Sequence, residues 1–79
     1  MNTANDIIDM IRKNEIKIDL PKLDHNKQLI DQGFDSLDMA TIFFALEEHF
    51  QIKIHEPDID QGKLSSINAM VEYINRAQE

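Results

Sequence analysis

Helical periodicity over residues 36–50 constrains the fold of this chain more than any other feature. Apolar residues recur there within about a third of a helix circumference at the period of 3.6 residues, which is the stripe of a helix that faces a core. They are Met39, Ile42, Phe43, Leu46 and Phe50. Just upstream, Gly33 permits a sharp turn and Asp35 suits an N-cap. We therefore predict a second helix that begins at Ser36, with Asp38 placed close to a capping-box arrangement.

Three further segments carry helical signals. Thr3 is a candidate N-cap for a first helix that ends near Asn14. A short third helix fits residues 57–61, with a proline at its first position and a glycine as its stop. Ser65 or Ser66 caps a fourth helix, whose residues at helical spacing form one apolar stripe. The stripe consists of Ile67, Met70, Val71 and Ile74.

The segment between the first two helices is predicted to be a long loop. Residues 15–20 alternate polar and apolar side chains, a pattern typical of a strand, but a lone strand has nothing to pair with. We interpret them as the extended start of a loop that ends near Lys27. Ile16, Ile18 and Leu23 are expected to point inward, and Leu29 and Ile30 are expected to anchor the end of the connection. The predicted fold class is all-α: a small antiparallel four-helix bundle, with three longer helices and one short one and a long loop between helices one and two.

Length, net charge and cysteine content limit the classes of function that are open to this chain. The 79 residues allow one small domain, residues 1–79, with a thin core and, without cysteine, no disulfide. A net charge of −7 argues against a nucleic-acid partner and favours partners with basic docking surfaces. No apolar stretch approaches membrane-spanning length and no signal-peptide pattern is visible. We expect a cytoplasmic monomer with no membrane span.

Ser36 is the most prominent candidate for chemistry. A phosphodiester on the first residue of a helix lies near N–H groups that have no partner within the helix and near the positive end of the helix dipole. The interaction of a surface charge with that dipole contributes about 0.3–1 kcal/mol. Because the chain has no cysteine, any thiol chemistry must use an attached group. Asp35 and Asp38 repel a phosphate, so Mg²⁺ during attachment is reasonable. No metal site is predicted, because His25, His49 and His55 lack metal-ligand spacing.

The chain resembles the acyl carrier protein family in residues 29–38 (LIDQGFDSLD), 45–50 (ALEEHF) and 52–54 (IKI), and in its closing Tyr73-Ile74. The resemblance implies that Ser36 carries a 4′-phosphopantetheine arm. A phosphopantetheinyl transferase would take the arm from coenzyme A with Mg²⁺, and the neighbouring cofactor-binding residues would be Asp35, Leu37 and Asp38.

The resemblance also implies what the arm would do. Acyl groups would travel on it as thioesters to acyl-transferring, synthase or ligase enzymes of fatty-acid, lipid or polyketide-type biosynthesis. The protein itself would make no bonds, so no catalytic residue and no enzyme activity are predicted.

A second set of residues on the same helix is predicted to meet partner enzymes. A further apolar stripe beside the first has two interpretations: it packs under the long loop, or it is an exposed docking patch flanked by acids. The resemblance favours the patch. Its predicted docking residues are Leu37, Asp38, Ala40, Thr41, Phe44, Glu47 and Glu48.

The bundle interior is predicted to shelter the acyl chain, at about 0.8 kcal/mol for each buried CH₂. Pattern and resemblance together give the lining residues Leu46, Ile54, Ile59 and Ile67. Departures from the family, with Thr41 where an acid is usual and a bulky Phe44, suggest a specialised carrier in a dedicated pathway. Two alternatives stay open: an aminoacyl or peptidyl carrier that holds its cargo outside the bundle, and an unmodified acidic helical module that binds a basic partner.

Overall fold

The computed structural model describes residues 2–14, 16 and 18–79. Over these residues the chain forms four α-helices and no strand. The helices are α1 (Ala4–Lys13), α2 (Ser36–Phe50), α3 (Glu56–Asp60) and α4 (Ile67–Ala77). Two 3₁₀ turns, Leu20–Lys22 and Leu29–Gln32, interrupt the α1–α2 loop. The prediction of a small all-α bundle, with three longer helices, one short helix and a long loop after the first, is confirmed.

Local capping explains where the longer helices begin. Thr3 is the N-cap of α1, and its N–H donates to the Asp6 carboxylate at 2.7 Å. Ser66, not Ser65, is the N-cap of α4, and its hydroxyl accepts the Ala69 N–H at 3.1 Å. These bonds satisfy donors that the first turn of a helix leaves unpaired.

The short helix α3 differs from the prediction by one residue at each end. It begins at Glu56 and ends at Asp60, whereas residues 57–61 were expected. Pro57 therefore occupies the second helical position, where its missing N–H is again harmless because the first N–H groups of a helix have no internal partner. Gly62 follows with φ of 76°, which is consistent with the predicted stop.

A single core cluster joins the longer helices. α1 packs against both α2 and α4. The buried side chains on these helices are Ile7, Met10, Ile11, Met39, Ile42, Leu46, Phe50, Ile67, Met70 and Ile74, and the connections add Leu20, Leu29, Phe34 and Leu64. The predicted stripe members Phe43 and Val71 are partly buried at its edge. α3 contributes no buried residue.

The α1–α2 loop is fixed by polar contacts as well as apolar ones. The Gln32 side chain accepts the Asp24 N–H at 2.7 Å and donates to the carbonyl oxygens of Asp24 and Lys27 at 2.9 and 3.1 Å. The Leu29 N–H donates to the Ser65 carbonyl oxygen at 2.8 Å, which ties the end of the loop to the approach to α4. The chain therefore enters α2 from a defined position.

Most predicted anchors of this loop are confirmed, and one is wrong. Ile16, Ile18 and Leu23 pack partly buried against the core, and Leu29 is fully buried. Ile30 is 58% exposed, because only one of two adjacent residues in the 3₁₀ turn faces the core. Residues 15 and 17 of the predicted extended stretch lie outside the described residues.

Candidate functional site at the start of the second helix

A buried aromatic residue anchors the chain immediately before α2. Gly33 ends the preceding turn with φ of 104°, a left-handed backbone conformation that residues with a side chain rarely adopt. Phe34 follows with only 2% of its surface exposed, and its N–H donates to the Leu29 carbonyl oxygen at 3.2 Å. The start of α2 therefore rests on the core rather than on a free loop.

Two aspartates lock the first turn of α2 by exchanging hydrogen bonds. The Asp38 N–H donates to the Asp35 carboxylate at 2.8 Å, and the Asp35 N–H donates to the Asp38 carboxylate at 3.2 Å. This is the predicted capping arrangement, with aspartate in the place usually taken by Glu or Gln. Ser36, between them, is the first helical residue and is exposed. Ser36 is therefore presented to solvent at the start of a capped helix.

Opposing electrostatic effects meet at this hydroxyl. The first N–H groups of α2 have no partner within the helix and favour an anion beside Ser36. The carboxylates of Asp35 and Asp38 oppose the same anion, and a divalent cation would relieve that repulsion. Over the described residues no three His, Asp or Glu side chains form a group that could hold a metal ion on their own.

The outer face of α2 exposes apolar side chains. Leu37 is 75% exposed and Phe44 is 73% exposed, with Ala40 also exposed between them. Leu37 and Phe44 thus do not pack under the α1–α2 loop, which was the competing interpretation of this stripe. Thr41 is half-buried, and its hydroxyl donates to the Leu37 carbonyl oxygen at 3.1 Å.

The acidic residues near the C-terminal end of α2 differ in what they contact. Glu48 is exposed. Glu47 is half-buried, and its carboxylate accepts the Ile54 N–H at 3.0 Å. One oxygen of Glu47 is therefore already engaged in holding the α2–α3 connection.

The four predicted acyl-lining residues lie in or against the core. Leu46 and Ile67 are fully buried, and Ile54 and Ile59 are half-buried. A cavity of about 700 Å³ lies between residues 51–55 and α4, and none of the four lines it. Entry of an acyl chain among these residues therefore requires the bundle to open.

A hydrogen-bond network that the sequence did not reveal holds α3 against α4. The Tyr73 hydroxyl donates to the Asp58 carboxylate at 2.6 Å and accepts the His55 N–H at 3.4 Å. Lys63 Nζ lies 3.4 Å from the same carboxylate. The bond from Tyr73 holds the pKa of Asp58 below its usual value, with a smaller contribution from Lys63. Burial, followed by the bond to Asp58, raises the pKa of Tyr73.

Comparison with known proteins identifies the kind of site. A family model described as a phosphopantetheine attachment site matches residues 4–74. A protein named acyl carrier protein from Campylobacter jejuni (strain RM1221) is 37% identical over 70 residues, which cover 89% of this chain and 87% of that relative. This chain belongs to the acyl carrier protein family. Two further relatives support this assignment. The acyl carrier protein of Campylobacter jejuni subsp. doylei is 34% identical over the whole of both chains. That of Campylobacter lari is 36% identical over 89% of this chain and 87% of the relative.

Membership has two direct consequences for this carrier protein. Its cofactor is a covalently attached 4′-phosphopantetheine, and its family is not itself catalytic. The residues present fit such a group, because the start of α2 offers an exposed hydroxyl on Ser36 beside unpaired backbone N–H groups. None of the helices in the described ranges combines the length and the apolar character needed to cross a bilayer.

Proposed function

We propose that Ser36 is the attachment residue and that the protein carries acyl groups as thioesters between enzymes, without enzyme activity of its own. The observation that carries the proposal is the exposed Ser36 hydroxyl at the first position of a helix that Asp35 and Asp38 cap reciprocally. A tether needs an accessible residue on an ordered backbone, and the exposure of Ser36 and the reciprocal cap around it support that role.

The chain's own residues position the reaction but do not activate it. During attachment the Ser36 oxygen bonds to the pantetheine-side phosphorus of coenzyme A, and its proton passes to a base of the transferase. The pyrophosphate P–O bond breaks and adenosine 3′,5′-bisphosphate leaves. Asp35 and Asp38 would attract a Mg²⁺ brought with the transferase, and the cation would offset their repulsion of the phosphate. The arm then provides the thiol that this cysteine-free chain lacks.

Intact mass tests the attachment. The protein is incubated with coenzyme A, Mg²⁺ and a promiscuous phosphopantetheinyl transferase, and we expect the mass to rise by one phosphopantetheine. Ser36→Ala should show no gain. Ser65→Ala is the matched control, because Ser65 is a loop serine whose hydroxyl donates to the Gly62 carbonyl oxygen, and it should gain the group in full. A gain in Ser36→Ala, or none in the unaltered protein, would contradict the proposal.

The outer face of α2 is proposed as the docking surface for partner enzymes. Exposed apolar groups at Leu37, Ala40 and Phe44 lie on the same helix as the carboxylates of Asp38 and Glu48. A partner with an apolar depression rimmed by cations complements such a face. Thr41 and Glu47 complete the predicted set from partly buried positions, and Glu47 also steadies the α2–α3 connection.

Transfer kinetics with a cognate enzyme test this surface. Phe44→Ala removes the largest exposed apolar group and should slow acyl transfer, while Ile30→Ala, a truncation at the exposed residue in the preceding 3₁₀ turn, should not. Glu48→Lys should weaken docking in a salt-dependent way, and Glu79→Lys is its control with the same change in charge. Unchanged transfer by Phe44→Ala and Glu48→Lys would refute the surface.

The interior among Leu46, Ile54, Ile59 and Ile67 is proposed to hold the acyl chain. The support is that α3 buries none of its residues fully. Ile59 in α3 and Ile54 just before it are both half-buried. If the chain enters, each CH₂ adds about 0.8 kcal/mol before the cost of opening, so thermal stability should rise with acyl length. An aminoacyl or peptidyl cargo held outside the bundle would leave the melting temperature independent of cargo length.

The pathway is proposed to be a dedicated one within fatty-acid, lipid or polyketide-type biosynthesis. The support is the docking face itself, which presents an exposed aromatic group at Phe44 and an uncharged Thr41. Such a face suits partners with a wide apolar depression and fewer cations. The mass of the carrier purified from its native host would identify the cargo, and transfer at full rate by a housekeeping fatty-acid synthase would argue against a dedicated pathway.

A further inference from the structure

A second, smaller groove lies beside Ser36. It measures about 390 Å³ and separates the first turns of α2 from the end of α1 and the following loop. Its lining includes Asn14, Ile16, Ile18, Leu37, Asp38 and Thr41. The volume falls within the roughly 300–1,000 Å³ typical of small-molecule sites.

One side of the groove is apolar. Ile16 and Ile18 lie half-buried on the core and expose the remainder of their side chains. Leu37 is 75% exposed although it directly follows Ser36. Methyl groups of a ligand placed between these side chains would be removed from water. This burial stabilises binding by roughly 25 cal/mol for each Å² of apolar surface.

Counting only the residues that the structure describes, the polar groups of the groove have hydrogen-bond acceptors without a partner. The Asn14 side-chain amide donates to the Met10 carbonyl oxygen at 2.8 Å, and no donor among the described residues bonds to its oxygen. The Thr41 hydroxyl donates its proton to the Leu37 carbonyl oxygen and keeps its lone pairs. Asp38 accepts the Asp35 N–H on one carboxylate oxygen and retains the other. A ligand for this groove therefore combines a methyl-bearing segment with N–H or O–H donors.

We propose that this groove is the resting site of the pantetheine part of the arm, an inference that depends on attachment at Ser36. Pantetheine carries a dimethyl group, a hydroxyl and two secondary amide N–H groups, so both sides of the groove find a complement. The attachment point adjoins Leu37 and Asp38, and a short tether gives an effective concentration of about millimolar. Weak contacts are therefore sufficient to hold the arm, and a partner enzyme can still remove it.

NMR of the full chain before and after attachment tests the site. In the modified protein we expect nuclear Overhauser contacts from the pantetheine methyl groups to the methyl groups of Ile16, Ile18 or Leu37. Thr41→Trp fills the groove and should abolish these contacts. Ala40→Trp places the same side chain on the next exposed position of α2, outside the lining, and should preserve them.

A second variant protects the test against misfolding. Thr41→Val keeps the shape of Thr41 and removes its hydroxyl, which is the proposed acceptor for the arm and the donor to the Leu37 carbonyl oxygen. Because the backbone of α2 keeps its own hydrogen bonds, this variant should weaken the contacts and leave the unfolding midpoint close to that of the unaltered protein. Contacts from the arm to Leu46 or Ile67 instead, or an arm with no contacts at all, would overturn the resting site. Failure of the mass to change would overturn the attachment at Ser36 itself, so the two failures are distinguishable.

Discussion

The two ends of α2 are held by different kinds of contact. Before its first residue, Phe34 is buried in the core and Asp35 caps the helix. Beyond its last residue, polar bonds hold α3: the Glu47 carboxylate to the Ile54 N–H, and the Tyr73 hydroxyl to Asp58. A hydrogen bond contributes only about 0.5–1.5 kcal/mol net, because water replaces it on opening. Because α3 buries none of its side chains fully and Ile59 packs only partly against the core, we expect the α3 side to open at lower cost than the attachment end.

Truncation of the buried aromatic residue should give the largest effect. Phe34→Ala removes a ring that is 2% exposed and should lower the free energy of unfolding by about 3–5 kcal/mol, measured by urea denaturation. On the α3 side, Ile59→Ala truncates a half-buried residue and should lower it by much less. Equal losses in the two variants would show that α3 is held as firmly as the attachment end.

Removal of the α2 cap should have an intermediate effect. Asp35→Ala loses the bond to the Asp38 N–H and should lower the free energy of unfolding by about 0.5–2 kcal/mol. Asp35→Asn retains a good capping oxygen and is the control. The same pair should differ in the rate of phosphopantetheine attachment, because the alanine variant loosens the backbone of Ser36. If both variants unfold alike, the capping bond does not stabilise the site.

Removal of one hydroxyl on α4 should act only on the α3 side. Tyr73→Phe breaks the bonds to Asp58 and to the His55 N–H. Amide hydrogen exchange of residues 55–60 should become faster, while the amides of Asp38 and Met39 keep their protection. Faster exchange at both places would mean that the two ends of α2 open together.

The pH dependence should reveal the same network through a small effect. Because Tyr73 lowers the pKa of Asp58, this contribution to stability is present above the unfolded value of about 3.9 and is lost as pH falls through the folded pKa. The raised pKa of Tyr73 acts in the opposite direction: its contribution is present below about 10 and is lost as pH rises through the folded value.

A carboxyl titration checks this linkage. In Tyr73→Phe, the Asp58 resonance should titrate at a higher pH than in the unaltered protein. An unchanged Asp58 titration would show that the hydroxyl does not stabilise its charge.

Features encoded within one helical turn were predictable from the sequence. Asp35, Ser36 and Asp38 fix the start of α2 through bonds that span three residues, and the helix begins and ends where its pattern indicates. The predicted bounds of α3 were one residue too late in the sequence, because five residues are too few to establish a helical period. Ile30 was misplaced because the 3₁₀ turn that exposes it leaves no periodic signal.

Contacts between distant segments were not predictable. The bond from Tyr73 to Asp58 spans 15 residues, and that from Gln32 to Asp24 spans eight. Neither residue type nor spacing indicates such pairs, because they depend on how the helices pack. The groove beside Ser36 was missed for the same reason: its sides come from the loop that follows α1 and from α2.

Leu37, Asp38 and Thr41 belong both to the proposed docking face and to the side of the groove next to Ser36. An enzyme and the pantetheine cannot both contact these three residues at once, so binding of the enzyme would displace the pantetheine from the groove. Arrival of the enzyme would then itself release the cargo-bearing end towards the catalytic centre, with no separate signal needed.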